Sequence, residues 1–344
     1  MRARGTGGAT RGSPLRIGVL GCADIAWRRM LPAIAGCPDT RLVAIASRDA
    51  AKAARFTGRF GGEPVVGYDR LLERPDVDAV YVPLPVALHA PWVERALRAG
   101  KHVLCEKPLT GTPQGTARLV ALAAESGLAL LENYMFLSHR RHALVRTLVA
   151  DGAIGELRHL SAEFAVPPRD PADIRYRPEL GGGALLDIAG YPVRTAQWYL
   201  GDELTVVGAW LNEAAGGVDV SGAALLAGPE GVTAQLTFGM DHVYGARYVL
   251  WGSTGRVTVP LAYTPPAAAG TSVVLEGRDG GRELVVPPDD QFTRTLLAFV
   301  ARVREGVPSD LEGAPLVRQA ELVDRIRRAA ASAAVSASGR PARA

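Results

Sequence analysis

Cysteine is scarce. Cys22, Cys37 and Cys105 are the three in 344 residues, too few and too scattered for a disulfide framework or a cysteine-built metal cluster. No apolar run approaches the roughly 20 residues that a membrane span needs. The segment before Leu15 holds Arg and Gly but no apolar stretch of the kind that marks a secretory signal. A reduced, cytoplasmic setting without membrane or metal is the expectation. Excess charge is also small. The formal net charge is +4, while Arg2, Arg4, Arg11, Arg340 and Arg343 lie near the ends. Those five exceed the net, so the body between them is close to neutral. No basic stripe for nucleic acid is present.

What is present fits a soluble globular protein with a sizeable core: 48% of residues are hydrophobic and 22% charged. The length accommodates two domains. From Leu15 the chain alternates. LRIGVLG, RLVAIAS, VDAVYVPLP, HVLCE and LALLE read as buried strands. WRRMLPAIAG, DAAKAARFTGRF and segments near 91–99 and 114–126 read as helices between them. Apolar strands alternating with helices imply βαβ units around a parallel sheet. After Asn133 the rhythm changes. Helices are expected at 142–152 and 184–199, followed by seven strand-like runs from LTVVGAWL to RELVVP. Two further helices come from TRTLLAFVARVREG and LVRQAELVDRIRRA. Strands in succession predict an open, mainly antiparallel sheet. The fold class is therefore α/β, with a Rossmann domain at 15–132 and a second α/β domain at 133–330. The C-terminal helices pack back on the first domain in this reading, and 1–14 and 331–344 are flexible tails.

The first strand runs into Gly21-Cys22-Ala23-Asp24-Ile25-Ala26 at the start of a helix. This is a variant of G-x-G-x-x-G with Ala in the second and third glycine places. Such a loop turns backbone N–H groups and a helix N-terminus toward a pyrophosphate; an ordinary tight turn is the alternative. At the end of the second strand, where NAD enzymes carry an acid for the ribose hydroxyls, stand Ser47 and Arg48. A carboxylate would repel a 2′-phosphate, whereas a guanidinium binds one bidentately. NADP(H) is the expected cofactor, with Arg28 a second candidate cation.

Two further motifs carry a resemblance. One is Cys105-Glu106-Lys107-Pro108. The other is Gly181-Gly182-Gly183-Ala184-Leu185-Leu186-Asp187-Ile188-Ala189-Gly190-Tyr191. With VPLPVALH (Val82 to His89), they resemble the Gfo/Idh/MocA family of sugar and polyol oxidoreductases over roughly 15–330. Within it, CADIAWRRMLPA, Ser47-Arg48 and the terminal Tyr look like the NDP-sugar 3-ketoreductases of deoxysugar pathways. The resemblance implies that Lys107 sits beside the nicotinamide and the reacting carbon. Asp187 and Tyr191 would complete the catalytic site, with Tyr191 standing where many members have His. Pro83, Leu84, His89 and Glu106 would join Gly21, Ala23, Asp24 and Ile25 at the cofactor. His89 equally fits a structural turn. The resemblance also implies a homo-oligomer, dimer or tetramer, built on the open sheet.

The residues permit a physical reading as well. Asp187 and Tyr191 are four apart, one turn on a helix face. An ammonium near the phenol would lower its pKa toward the working range, making Lys107 and Tyr191 a pair that protonates an alkoxide. Asp187 alternatively caps or pairs locally, and Tyr191 alternatively packs in the core. Tyr134, Arg175, Tyr176 and Tyr244 are candidates for lining a sugar or nucleotide pocket. Three functions compete: NADPH-dependent reduction of a nucleotide-linked 3-keto deoxysugar; an NADP-dependent aldose, polyol or trans-dihydrodiol dehydrogenase; and a non-catalytic NADP-binding sensor. The joint presence of Lys107, Asp187 and Tyr191 favours catalysis.

Overall fold

The computed structural model describes residues 13–214, 216–278 and 280–338. The tail readings for 1–12 and 339–344 lie outside these residues. Six strands form the first sheet: β1 (Leu15–Leu20), β2 (Thr40–Ser47), β3 (Glu63–Val66), β4 (Ala79–Val82), β5 (His102–Cys105) and β6 (Leu130–Glu132). Their order is β3-β2-β1-β4-β5-β6 and every pairing is parallel. This is the doubly wound order of dinucleotide-binding sheets. Alternate residues feed opposite faces: Ala79 and Tyr81 enter one apolar core, Val80 and Val82 the other. Covering both faces explains the near-continuous apolar character of these strands.

Helices connect the strands. A turn of π type (Ala26–Met30) runs into α1 (Leu31–Gly36), followed by α2 (Ala50–Phe60), α3 (Tyr68–Leu72), α4 (Val86–Arg98) and α5 (Pro113–Glu125). The starts of α2 and α5 follow capping chemistry. Asp49 accepts the Lys52 amide and Thr112 accepts the Gly115 amide, with Pro113 in the first turn. β3 and α3 were not anticipated, and α4 begins five residues before the expected Pro91. Proline near a helix start removes only one amide from the ladder, so Pro91 does not end it.

The second unit contains α6 (Arg140–Ala150), β7 (Leu157–Ala165), α7 (Ala184–Asp187) and α8 (Gly190–Leu200). Then come β8 (Thr205–Glu213), β9 (Asp219–Ala227), β10 (Thr233–Gly239), β11 (Gly245–Gly252), β12 (Gly255–Val259), β13 (Thr271–Gly277) and β14 (Gly280–Val286). α9 (Gln291–Glu305) and α10 (Ala314–Ser338) follow. The sheet order is β14-β13-β12-β11-β7-β10-β9-β8, antiparallel except where β7 meets β10. The expectation of a mainly antiparallel sheet agrees with this, but β7 had no counterpart in the sequence reading. Its polar positions His159, Ser161 and Glu163 alternate with buried Leu160, Ala162 and Phe164. α10 continues to Ser338, past the expected start of a tail at 331, because an Ala-rich stretch has high helix propensity.

The expected single helix from 184 to 199 is broken. Pro192 has no amide to give to the Ile188 carbonyl, so the ladder cannot continue through it. Tyr191 N–H takes that carbonyl instead, and the Ile188 and Ala189 amides both bond to Ala184.

Behind the break, Gly190 faces the hydroxyl of Tyr134, which a Cβ at 190 would strike. Gly190→Ala gains up to about 1 kcal/mol in helix propensity but overpacks a buried site, a cost of about 1–3 kcal/mol. Net destabilisation is expected in urea unfolding. An unchanged midpoint would show that Tyr134 can swing aside.

Candidate active site

In a parallel sheet all carboxyl ends lie on one edge. The turns after β1, β4 and β5 are therefore neighbours, because those strands are adjacent. Gly21 opens the first turn with φ +119°, a region that L side chains rarely adopt. A Cβ there would come within 2.8 Å of Leu84, in the turn after β4. A larger residue would be strained by that φ and would have to push the Leu84 side chain aside. Ala23, Asp24 and Ile25 begin the helix beyond, which turns its free amides toward the same edge. Pro83 is buried behind the turn. Free amides at a helix start are the groups that could hold a pyrophosphate.

At the end of β2, Ser47 accepts the Asp49 amide through its hydroxyl. Arg48 is exposed and within hydrogen-bonding reach of Tyr68. The nearby carboxylate of Asp49 is engaged in capping α2, so a phosphate beside Arg48 meets a guanidinium. Arg28 stands differently from the expectation. It forms an exposed ion pair with Asp24 at 2.6 Å, which occupies both side chains.

The turn after β5 carries the reactive candidates. Lys107 Nζ donates to Asp187 Oδ1 at 2.7 Å and to the Asp187 backbone carbonyl at 2.6 Å. Its ammonium lies 5.2 Å from the centre of the Tyr191 ring. Arg175 Nε donates to the other carboxylate oxygen of Asp187 at 2.6 Å, and its Nη1 bonds Asp173. Arg175, expected to line the substrate pocket, is thus the second cation on Asp187. Burial alone would raise the Asp187 pKa. The charges and hydrogen bonds of Lys107 and Arg175 more than offset this and hold the carboxyl well below its ordinary range.

Lys107, Asp187 and Tyr191 meet, but not as the sequence reading had it. The helix break separates Asp187 from Tyr191, so a shared helix face does not bring them together. Nor does Lys107 lower the phenol pKa. Burial and the charges of Glu106 and Asp187 push it well up, and the hydroxyl contacts Met135 Sδ at 3.7 Å. Tyr191 is therefore a neutral phenol across the working range.

Other expectations are revised by burial. His89 is 1% exposed, and both ring nitrogens lie 2.7 Å from backbone carbonyls, Nδ1 from Pro108 and Nε2 from Leu84. Burial holds the imidazole neutral, so its single N–H donates to only one of these carbonyls; the ring is packed between the two turns, and neither nitrogen is turned to the cofactor. Tyr134 is 1% exposed and its hydroxyl meets Gln319 at 3.3 Å, so it packs under the site and does not line it. Tyr176 accepts the Arg169 amide and closes its own loop. Tyr244 remains at the surface, bonded to Thr264. Its ring reaches Tyr191 through Phe164, at centroid distances of 6.5 Å and 4.9 Å.

Glu106 is buried, and one of its oxygens accepts from Tyr81 at 2.7 Å and Asn133 at 2.6 Å. Tyr81 was missed because it sits at a strand position that reads as core, and Asn133 because it reads as the end of the first domain's last strand. Asp219 was missed as well. It accepts the Leu185 amide at 2.5 Å and so caps α7 from a distant strand, a link with no local sequence signal.

Residues 15–134 match the model of the Gfo/Idh/MocA oxidoreductase family, NAD-binding Rossmann fold. Residues 142–258 match the family's C-terminal domain. The chain is 55% identical over 326 residues to the dTDP-3,4-didehydro-2,6-dideoxy-alpha-D-glucose 3-reductase of Streptomyces violaceoruber, covering 92% of this chain and 95% of that one. It resembles the crystal structure of a 3-ketoreductase from Actinomadura kijaniata in complex with NADP and TDP-benzene, with 52% identity and TM-score 0.89, covering 92% and 98%. An aldose-aldose oxidoreductase from Caulobacter crescentus is similar at 29% identity and TM-score 0.85, covering 93% and 98%.

The depressed pKa of Asp187 has a signed consequence. A carboxyl lowered from 3.8 on folding contributes stability that is complete above that value and lost as pH falls through the folded-state value. Asp187→Asn should cost about 2 kcal/mol or more at neutral pH. The deficit should shrink below pH 3.8. Thermal midpoints of both proteins against pH test this, and a deficit independent of pH down to 2 would refute it.

Proposed function

The chain belongs to the Gfo/Idh/MocA oxidoreductase family, and from that premise we propose that it reduces the 3-keto group of a dTDP-linked deoxysugar with NADPH. The observation that carries the proposal is the Lys107 ammonium, held by Asp187 against the Tyr191 ring at the carboxyl end of β5. The relatives named as 3-reductases of a dTDP-linked dideoxyglucose support the substrate class. The solved complex with NADP and TDP-benzene supports the cofactor and the nucleotide. In this reading 15–132 bind the dinucleotide and 133–330 the sugar nucleotide. Gly21, Ala23, Asp24 and Ile25 face the pyrophosphate, and Ser47 and Arg48 face the 2′-phosphate.

NADPH, when bound, supplies the hydride that converts the ketone carbon to an alcohol carbon. The chain supplies the proton and the field. Lys107 has three N–H donors, and Asp187 takes two. The third serves the ketone oxygen, where negative charge develops. Tyr191, kept neutral by burial, gives the proton that completes the hydroxyl, and its phenolate takes a proton back from solvent before the next turnover. Arg175 keeps Asp187 ionised, so Asp187 orients Lys107 and does not take a proton itself. Tyr244 flanks the sugar nucleotide at the rim.

No helix among the described residues is long and apolar enough to cross a membrane, and the proposed setting is the cytoplasm. The open face of the larger sheet exposes Trp210, Leu225 and Trp251. Strand register puts these on one side. That face is the proposed contact of a dimer or tetramer.

Cofactor choice gives one prediction. NADPH should bind at least tenfold more tightly than NADH, about 1.4 kcal/mol, and Arg48→Ala should weaken NADPH far more than NADH. Fluorescence titration of both cofactors checks it; equal affinities for the unaltered protein would sink the assignment.

Chemistry gives another. With the dTDP-linked ketosugar and saturating NADPH, Lys107→Ala should lower kcat by about 10²–10⁴-fold. Tyr191→Phe should also lower it and alter the pH profile. The free 3-keto sugar should have a much lower kcat/KM, because it lacks the remote binding energy of the nucleotide. Equal turnover of the free sugar would favour an aldose or polyol dehydrogenase.

A further inference from the structure

The turn that bears Lys107 has no secondary structure of its own, so side chains from outside must set it. Tyr81, Asn133, His89 and Glu132 do so. Glu106, before Lys107, is held by Tyr81 and Asn133. The Pro108 carbonyl, after it, lies 2.7 Å from His89 Nδ1 and packs against that buried ring. The next amide, Leu109 N–H, donates to Glu132 Oε1 at 2.7 Å.

Glu132 is an unusual choice for that last contact. It is 3% exposed, and burial pushes its pKa up to about 7, with the Arg194 and Lys107 charges pulling down and Glu106 pushing up. A buried carboxyl is costly to keep unless its bonds return the cost. Its main chain is rigid: its own amide donates to Leu311, and Asn133 beside it donates to Cys105. Arg194, whose charge faces it, belongs to α8, the helix that carries Tyr191. Arg194 is itself tied to the Asp310 and Pro315 carbonyls. Glu132 thus stands between the turn of Lys107 and the helix of Tyr191, on a strand end that cannot shift.

We propose that Glu132 is a positioning residue for the reduction: by accepting the Leu109 amide it fixes the height of the Lys107 ammonium above Tyr191 and against the ketone oxygen. The inference rests on the reading of Lys107 given above. Because Glu132 acts only through the turn, its loss should reach the chemical step and leave cofactor binding alone.

The test compares three variants in the full-length protein. Glu132→Met removes the acceptor at similar volume, Glu132→Asp withdraws it by one methylene, and Glu132→Gln retains an acceptor oxygen. The expected result is a kcat at least tenfold lower for Met and Asp, with the NADPH Kd within threefold of the unaltered protein. The deuterium isotope effect on kcat from C4-deuterated NADPH should rise, since chemistry becomes the slow step. Glu132→Gln should recover most of the loss. If Met does not fold, Asp carries the comparison. Three results would overturn the inference: unchanged kcat in Met or Asp; parallel losses of kcat, NADPH affinity and thermal midpoint; or no recovery with Gln. Lys107→Ala, assayed alongside, separates the two claims. If it is inactive while Glu132→Met and Glu132→Asp are fully active, the inference alone fails. If Lys107→Ala is fully active, the reading of Lys107 fails and the inference with it.

Discussion

The bond between Lys107 and Asp187 joins residues 80 apart in sequence. One comes from the turn after β5 of the parallel sheet, the other from α7, between β7 and β8 of the second sheet, so the bond ties the two units together. Each end is over-determined. The lysine turn is clasped by His89, Glu106 and Glu132. The aspartate is capped from behind by Asp219 through Leu185 and gripped from the side by Arg175. Neither charge could be buried alone. Together, with Arg175 and Asp173 added, the cluster sums to no net charge, which suits its half-buried position.

That neutrality shapes the chemistry. An isolated ammonium would polarise a ketone strongly but would be free to wander. A paired one is fixed and still has a donor to spare. Pre-set donors need no reorganisation when charge appears on the substrate oxygen, and this is usually the largest contribution an enzyme makes. Keeping Tyr191 neutral follows from the same arrangement. Burial, and then the carboxylates of Glu106 and Asp187, raise its pKa while the ammonium sits over its ring face, so the phenol keeps its proton.

What could be read from the sequence was local. The Gly21 turn, the Ser47-Arg48 pair, Glu106-Lys107-Pro108 and the triple-glycine motif each lie within a dozen residues, and strand alternation marks the sheet edge they share. Tertiary facts were not legible. Pro192 breaks a helix that periodicity alone would run straight through. Tyr134 and Tyr191 read alike as aromatics, yet one lies beneath the site and the other in it, because packing assigns them. His89 has the look of a ligand but lies buried with both nitrogens facing carbonyls of two separate turns. β7 went unseen because polar His159, Ser161 and Glu163 diluted its apolar character, although that alternation is what a strand with one open face requires.

The position of β7 has a consequence for how the chain reaches its native state. It is an inner strand of the larger sheet, yet its partners come much later. His159 meets Thr233, 74 residues on, and its other neighbour, β11, starts at Gly245. Both edges of the strand must therefore wait for distant chain to arrive, and such non-local pairing slows folding. In that interval the strand offers two open rows of backbone groups, the feature that recruits other chains. Its polar residues face outward on one side and keep that waiting surface wettable. The same three residues that hid the strand from a hydrophobicity-based reading thus guard it until the sheet closes.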